Sequence, residues 1–256
     1  MIPWTDPLSV VVSVVVYGAI FTPLEHLVPR RPTPVLRRDL AQDAMFLLGN
    51  FLLWTPLVGA VLILVHHGIR LLPVAAIQEP FAGLPAVMQV VVALLIGDLA
   101  TYGFHRACHA WAPLWRFHRV HHSSEHLDWV AAYREHPVDN LLTRLVENLP
   151  LLVLGLPLAW VAGIAAFRGL WALFIHSNID WSPPRPMAAI LGSPRLHRWH
   201  HEPVASRHVN FANLNPLMDL CFGTYRHPDR DPDQLGDPEQ PHRSYVGHLI
   251  AAFQRR

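Results

Sequence analysis

Three stretches of the chain carry almost no polar side chain. Residues 8–24 and 44–65 are uncharged, and residues 84–104 hold a single charge, Asp98, toward their end. At a rise of roughly 1.5 Å per residue each is about long enough to cross some 30 Å of hydrocarbon as a helix. A fourth apolar run, residues 149–175, is different because Pro150, Gly155, Pro157 and Gly163 interrupt it. As a single span it would carry the residues after it to the far side of the membrane. As two halves, each of about 13 residues and some 20 Å, it is too short to cross and folds back on itself. The second reading is the expectation: a re-entrant or short helical hairpin with both ends on one side.

Charge orients these elements. The segment VPRRPTPVLRRD between the first two runs holds Arg30, Arg31, Arg37 and Arg38, whereas HHGIRLLPVAAIQEP between the second and third has only Arg70. The excess of arginine predicts that the first loop, and the residues just after Phe104, face the cytoplasm. Half the residues are apolar and only 15% are charged, which suits a membrane protein better than a soluble one. The expected fold is therefore all-α: an integral membrane helix bundle of about three spans plus the hairpin, under a cytoplasmic histidine-rich cap. The whole chain, residues 1–256, reads as one membrane-embedded domain, with 95–226 as a metal-binding core and 227–256 as a polar, proline- and aspartate-rich tail.

All 20 basic residues are arginine and the net charge is +1, with no concentrated basic face to bind nucleic acid. Cys108 and Cys221 lie far apart and give no disulfide framework, so a reducing compartment is acceptable. The N-terminus lacks the basic residues that precede the apolar core of a signal peptide, so the first segment is expected to stay.

The chemistry lies in 18 histidines, many of them grouped. His-x-x-His-His occurs twice, in RFHRVHHSSEH (116–126) and PRLHRWHHEP (194–203), and His105 and His109 stand four apart in GFHRACHAW. On helices these spacings share a face, so His118, His121 and His122 converge, as do His197, His200 and His201, and as do His105 and His109. Eight imidazoles exceed what one tetrahedral metal needs, which points to two metal ions. Surface histidines or a zinc-buffering tract would be the plain alternative, but Trp111, Trp115, Phe117, Val120 and Trp199 are interleaved with the boxes and call for packed helices. Asp98 shares a helical stripe with Tyr102, His105 and His109; an intramembrane carboxylate is costly, and its expected role is to accept an N–H from a ligand imidazole.

DLATYGFHRACH, HRVHHSSEHLDW, REHPVD, FIHSNI, LHRWHH and NLNPLMDLCFGTY together resemble the fatty acid hydroxylase/sterol desaturase superfamily, in order, over roughly residues 95–226. The resemblance implies two irons held by histidine boxes at the cytoplasmic end of a membrane bundle, and oxidation of lipid C–H bonds with O2 and electrons. It implies as ligands His105, His109, His118, His121, His122, His197, His200 and His201, and adds the lone His136 and His176. Where relatives carry Asn-Tyr-Gly this chain has Asn210, Phe211 and Ala212; His208 and His126 match no family ligand, and His26, His66, His67, His227, His242 and His248 read as surface or interfacial.

An all-imidazole shell does not name the metal: iron, zinc and copper all suit it, and zinc can occupy the site in purified material. A zinc-dependent membrane hydrolase, a non-catalytic metal buffer or sensor, and a transporter are the other classes, though the helical His-Glu-x-x-His signature is missing and few spans remain for a transporter's repeats. No Gly-x-Gly-x-x-Gly or His-Pro-Gly-Gly is present, so electrons are expected from a separate cytochrome b5-like or ferredoxin-like donor. Arg106, Arg116, Arg119, Arg195 and Arg198 are the arginines near the boxes that an acidic carrier could meet, unless they serve only to orient ligands. Trp111, Trp115, Trp129, Trp171 and Trp181 could line a lipid entrance or belt the interface. Sterols, acyl chains, carotenoids and ether lipids are all open as substrates, as is hydroxylation against desaturation. A bacterial inner membrane is the expected location.

Overall fold

The structure is a computed structural model and describes residues 7–203, 208–238 and 243–254. Among the described residues it is helical, with a single isolated β-bridge between Pro29 and Ile179 and no strand. In chain order the helices are α1 Pro7–Leu27, α2 Leu40–Gly49, α3 Thr55–Ile69, α4 Ala75–Ala82, α5 Ala86–Ala110 and α6 Ala112–His118. They continue as α7 Pro137–Val153, α8 Leu158–His176, α9 Arg185–Ala188, α10 Pro194–His200, α11 Leu217–Cys221 and α12 Tyr245–Ala251.

Prolines set many of the starts. Pro85 and Pro157 immediately precede α5 and α8, while Pro113, Pro137 and Pro194 sit in the first turns of α6, α7 and α10, where the missing N–H costs nothing. A π-helical turn, Asn50–Trp54, joins α2 to α3, so Leu40–Ile69 runs as one apolar rod. That rod, Ala86–Ala110 and Leu158–His176 are long and apolar enough to cross a membrane; Val11–Leu27 is a shorter apolar helix. Large apolar side chains stay exposed along them, among them Leu52, Leu53 and Leu64 on the rod and Val87, Val91 and Leu95 on α5. A face of this size and composition fits lipid, and the chain is built as an integral membrane protein.

The fourth apolar run does form a helical hairpin, but with longer arms than its sequence suggested. The break falls at residues 154–157, where Gly155 takes a left-handed φ of 83°. Its first arm, α7, begins at Pro137, well before the apolar run, and carries polar residues through its first half; its second arm, α8, has 19 residues and is itself of spanning length. The expectation of two short halves overlooked that an amphipathic helix can extend an apolar one without a break. Both free ends of the hairpin meet the histidine layer: Asp139 near the start of α7 touches His118, and His176 at the end of α8 touches His121.

The far end of the bundle closes on Ile69, Phe81, Leu151, Leu152, Leu156 and Val161. The histidine end closes on Phe21, Leu47, Trp129, Leu173 and Ile179. Between them Arg168, fully buried on α8, binds Asp98 of α5 at 2.7 Å, Glu147 of α7 at 2.6 Å and the Thr101 hydroxyl at 2.9 Å. The arginine-rich loop lies at the histidine end. Arg37 pairs with Asp43 and Asp128, Arg134 joins the same Asp43, and Arg30 pairs with Asp180 and Asp231.

Residues of the C-terminal tail pack back onto this end: Asp237 accepts from Arg119, and the Arg230 carbonyl accepts from the Trp199 indole. His248 does not lie at the surface as its sequence position suggested. It is buried on α12 against Phe46, because α12 lays that face on α2. His242 lies outside the described residues.

Candidate metal centre

Among the described residues, nine histidines gather into two adjoining groups. His105, His109, His118, His122 and His200 form the first, and His121, His176, His197 and His201 the second, with the ligand-capable atoms of each group within 4.8 Å of one another. The groups share a wall, since the rings of His122 and His201 stack at 4.4 Å. Each His-x-x-His-His is divided between them. His118 and His122, four apart, go to the first group and His121 to the second; His197 and His201 go to the second and His200 to the first. Residues i and i+4 nearly superpose on a helix face, while i+3 is turned by about 100° from i+4, which lets one short segment serve two centres. The first box reaches this without one continuous helix: α6 ends at His118, and His121 and His122 sit on a 3-10 turn.

Partners of the outward ring nitrogens define the inner ones. The Nδ1 atom of His105 bonds the Phe211 carbonyl at 2.7 Å, that of His200 the Val209 carbonyl at 2.9 Å, and that of His121 the Arg134 carbonyl at 3.2 Å. His176 Nδ1 bonds the Ala172 carbonyl at 2.7 Å, and His118 Nδ1 meets Asp139 at 2.9 Å. A carbonyl only accepts, so these Nδ1 atoms hold the proton and each Nε2 presents a lone pair inward.

The fit to metal follows from what those lone pairs meet. In the first group the Nε2 atoms of His105, His109, His118, His122 and His200 are all buried without a hydrogen-bond partner. In the second, His121 and His176 turn Nε2 lone pairs on each other at 2.9 Å, and His197 Nε2 stands 2.8 Å from that of His176 and 3.1 Å from that of His201. Facing lone pairs repel unless a cation lies among them. Separations near 3 Å are those of neighbouring ligands each roughly 2.0–2.1 Å from one ion. Burial, then the neighbouring imidazoles, hold His121, His122, His197, His200 and His201 well below the usual histidine range, so these rings are neutral at pH 7 and free to ligate. The residues present suit two transition-metal ions.

Two residues expected at the centre stand elsewhere. His136 is in neither group: it caps α7, its Nδ1 accepting from the Val138 N–H at 3.1 Å while its Nε2–H donates to the Leu249 carbonyl at 3.1 Å, so both nitrogens are committed. Asp98 accepts from Arg168 rather than from an imidazole, because α8 brings a buried guanidinium to its level two turns short of His105. The carboxylate that does hold a ring is Asp139. An aspartate in the first turn of a helix ordinarily reads as a helix-dipole partner, so the sequence held no sign of this role. Asp139→Asn is expected to lower transition-metal affinity roughly 10–100-fold, measured as metal retained against a chelator. Unchanged retention would show that His118 needs no such support.

A second feature legible only in space is the loop after α10. Asp219 accepts from the backbone N–H groups of Phe211 and Ala212 at 2.8 and 2.9 Å, and from the Thr224 hydroxyl at 2.7 Å. Asn210, at a positive φ of 54°, bonds Leu196 and Arg226 through its side chain. Together they present the Val209 and Phe211 carbonyls to His200 and His105. His208 is exposed, and His126 is in neither histidine group.

Beside the second group lies a cavity of about 490 Å³, bounded by α3, α7, α8 and residues 132–135, with His176 in its wall. Its size is that of a small-molecule site. None of the five tryptophans named above lines it; Trp115 packs on His109 and His122, and Trp129 is buried against α1.

The comparisons agree with this geometry. The family model for fatty acid hydroxylase matches residues 90–224, which contain all nine clustered histidines. The chain is 33% identical to ornithine lipid hydroxylase OlsE of Rhizobium tropici over 177 residues, 67% of this chain and 52% of that protein. It is 32% identical to human alkylglycerol monooxygenase over 131 residues, 50% of this chain and 28% of that one. Methylsterol monooxygenase 1-1 of Arabidopsis thaliana is 28% identical over 206 residues, 75% of this chain and 68% of its own. The chain thus spans about half the length of the first of these relatives and less than a third of the second. No solved structure matches it. With the family model covering more than half its length and its histidines gathered in that region, the chain belongs to the fatty acid hydroxylase family.

Proposed function

We propose that the protein is a membrane-bound di-iron oxygenase that hydroxylates or desaturates a C–H bond of a lipid, using O2 and electrons from a separate donor. The observation that carries this reading is the pair of buried imidazole groups beside an apolar cavity that reaches one of their members, His176. His105, His109, His118, His122 and His200 would hold one iron and His121, His176, His197 and His201 the other. Bound iron supplies the one-electron and oxygen chemistry that no side chain can. The chain's own residues do the rest. Asp139 and the carbonyls of Phe211, Val209, Arg134 and Ala172 fix the ring tautomers; burial keeps bulk water out; and the cavity walls steer a lipid chain toward His176. The relatives named for oxidising ornithine lipids, alkylglycerols and methylsterols support a lipid substrate.

The arginine-rich loop at the histidine end supports, by the positive-inside rule, a metal centre on the cytoplasmic face, and the membrane we propose is a bacterial inner membrane. Of the arginines near the boxes, Arg106 and Arg116 are exposed and would meet an acidic cytochrome b5-like or ferredoxin-like carrier; Arg119 binds Asp237, Arg195 the Pro228 carbonyl, and Arg198 is buried.

Iron-loaded and zinc-loaded protein, each given a reductant, O2 and a lipid extract, separates the readings by mass spectrometry. A lipid that gains one oxygen or loses two hydrogens only with iron is the expected result. Hydrolysis products with zinc would replace the proposal with a hydrolase, and metal binding without any product would leave a buffer or sensor.

A further inference from the structure

Two short helices at the histidine end keep an apolar face turned away from the protein. On α11 and directly after it, Leu217, Leu220 and Phe222 are 38–51% exposed, and no charged side chain is exposed from residue 217 to residue 223. On α12, Val246, Ile250 and Phe253 are 53–62% exposed at spacings of four and three, which makes one stripe of the helix. Apolar faces of this kind mark a surface that something apolar covers.

Neither helix is a loose end. Phe222 stacks on Tyr102 of α5 at 5.2 Å, and Asp219, buried on the other side of α11, holds the N–H groups of Phe211 and Ala212. Tyr245 and His248 of α12 pack edge-on against Phe46 of α2, with ring centroids 4.8 and 6.1 Å away. The Trp54 indole donates to the Tyr245 hydroxyl at 3.4 Å, and the Leu249 carbonyl accepts from His136 at 3.1 Å. These contacts fix which face of each helix is packed and which is presented.

Height on the bundle decides what meets the presented faces. Counted from the far ends of two spans, Ala86 on α5 and Ile69 on the rod, some 30 Å of hydrocarbon takes about twenty residues at roughly 1.5 Å each, and so ends near Arg106 and Gly49. Tyr102, on which α11 rests, lies one turn inside that limit. Phe46 and Trp54, on which α12 rests, stand on either side of it. The surface next to both helices is lipid-facing already, since Leu99 on α5 and Met45 and Leu48 on α2 are exposed. The apolar faces of α11 and α12 continue it without a charged break.

We infer that α11 and α12 are interfacial helices whose partner is one lipid leaflet, and that they seat the histidine layer in the membrane boundary instead of above it. His105 is three residues beyond Tyr102 on α5 and one before Arg106, so one ring of the metal centre stands at the boundary itself. The placement holds whichever metal or reaction the centre serves, and its test needs no turnover.

Cys221, exposed on α11, gives a natural handle, because the other cysteine, Cys108, is buried. Zinc-loaded protein labelled there with bimane is placed in nanodiscs of phosphatidylcholine and phosphatidylglycerol, and its emission is measured with doxyl-labelled phosphatidylcholine in the disc or with iodide in the water. Ile250→Cys in a Cys221→Ser protein carries the same label to α12, and Asp233→Cys in that protein, at an exposed position of the tail, is the reference. Labels at 221 and 250 are expected to lose most of their emission to the doxyl lipid and little to iodide, and the label at 233 the reverse. Stronger loss to iodide at 221 or 250 would place that face in water and overturn the proposal. Protection from both quenchers would overturn it too, by showing that a second copy or another protein covers the face.

Discussion

His118→Ala and His200→Ala are each expected to abolish product formation, a loss of at least about 100-fold, with the protein still inserted in the membrane. Both rings belong to the group of five, and both are braced from outside, His118 by Asp139 and His200 by the Val209 carbonyl. Their Nε2 atoms have no hydrogen-bond partner, so their removal breaks no hydrogen bond within the protein on that side and leaves the lipid-facing helices untouched. The metal content of the purified variants should fall together with activity. His136→Ala is the contrasting variant. The resemblance to the superfamily implies a ligand there, whereas the structure shows a helix cap bonded to Val138 and Leu249. Loss of the cap should cost about 1 kcal/mol of stability and leave iron content unchanged. An active His118→Ala or His200→Ala protein would remove the basis for the metal centre, and an iron-poor His136→Ala protein would restore the ligand reading of that residue.

Arg168→Leu carries the largest expected effect on stability. Its guanidinium is fully buried and is shared by Asp98, Glu147 and Thr101, on three helices counting its own. Removing it leaves two carboxylates facing each other in the bundle, and breaking a buried ion pair on one side typically costs roughly 3–5 kcal/mol. Thermal unfolding in detergent should show it as a large drop in midpoint, and a change of less than about 1 kcal/mol would mean that water reaches the cluster. Asp98→Asn should be milder because an amide oxygen still accepts from Arg168. If Asp98 instead braced a ligand imidazole, Asp98→Asn would lower metal affinity and spare stability, so measuring both quantities decides between the two roles.

The relation between sequence and site is clearest at the doubled His-x-x-His-His. Its recurrence announces metal chemistry, because imidazoles at these spacings fall within one turn of each other and only a cation or protons would justify gathering so many. The spacing also favours pairing each box with one ion, and there local geometry misleads. His121 leaves its neighbours for the group of His176, and His200 leaves its own for the group of His105. Which way i+3 turns depends on what stands opposite it, and that is supplied by residues more than fifty positions away. Asp139 and Asp98 make the same point in opposite directions: each is a carboxylate near a histidine along the chain, and only the meeting of α7 with α6, and of the Arg168 side chain of α8 with α5, gives one a ring and the other an arginine.

By itself the sequence determined that this protein is helical, that its apolar segments are long enough for a bilayer, that its histidines are far too ordered for a surface tract, and to which superfamily it belongs. These are properties of composition and short-range spacing, which a helix converts directly into faces and lengths. Only the tertiary structure decided that nine rings divide into five and four, that the hairpin's arms run from residue 137 to residue 176, that His136 is a cap, and that a cavity bounded by α3, α7 and α8 has His176 in its wall. Those depend on which helix faces meet. No pattern along the chain encodes a meeting between residues such as His121 and His176, because its energy comes from desolvation and geometry created when distant segments pack.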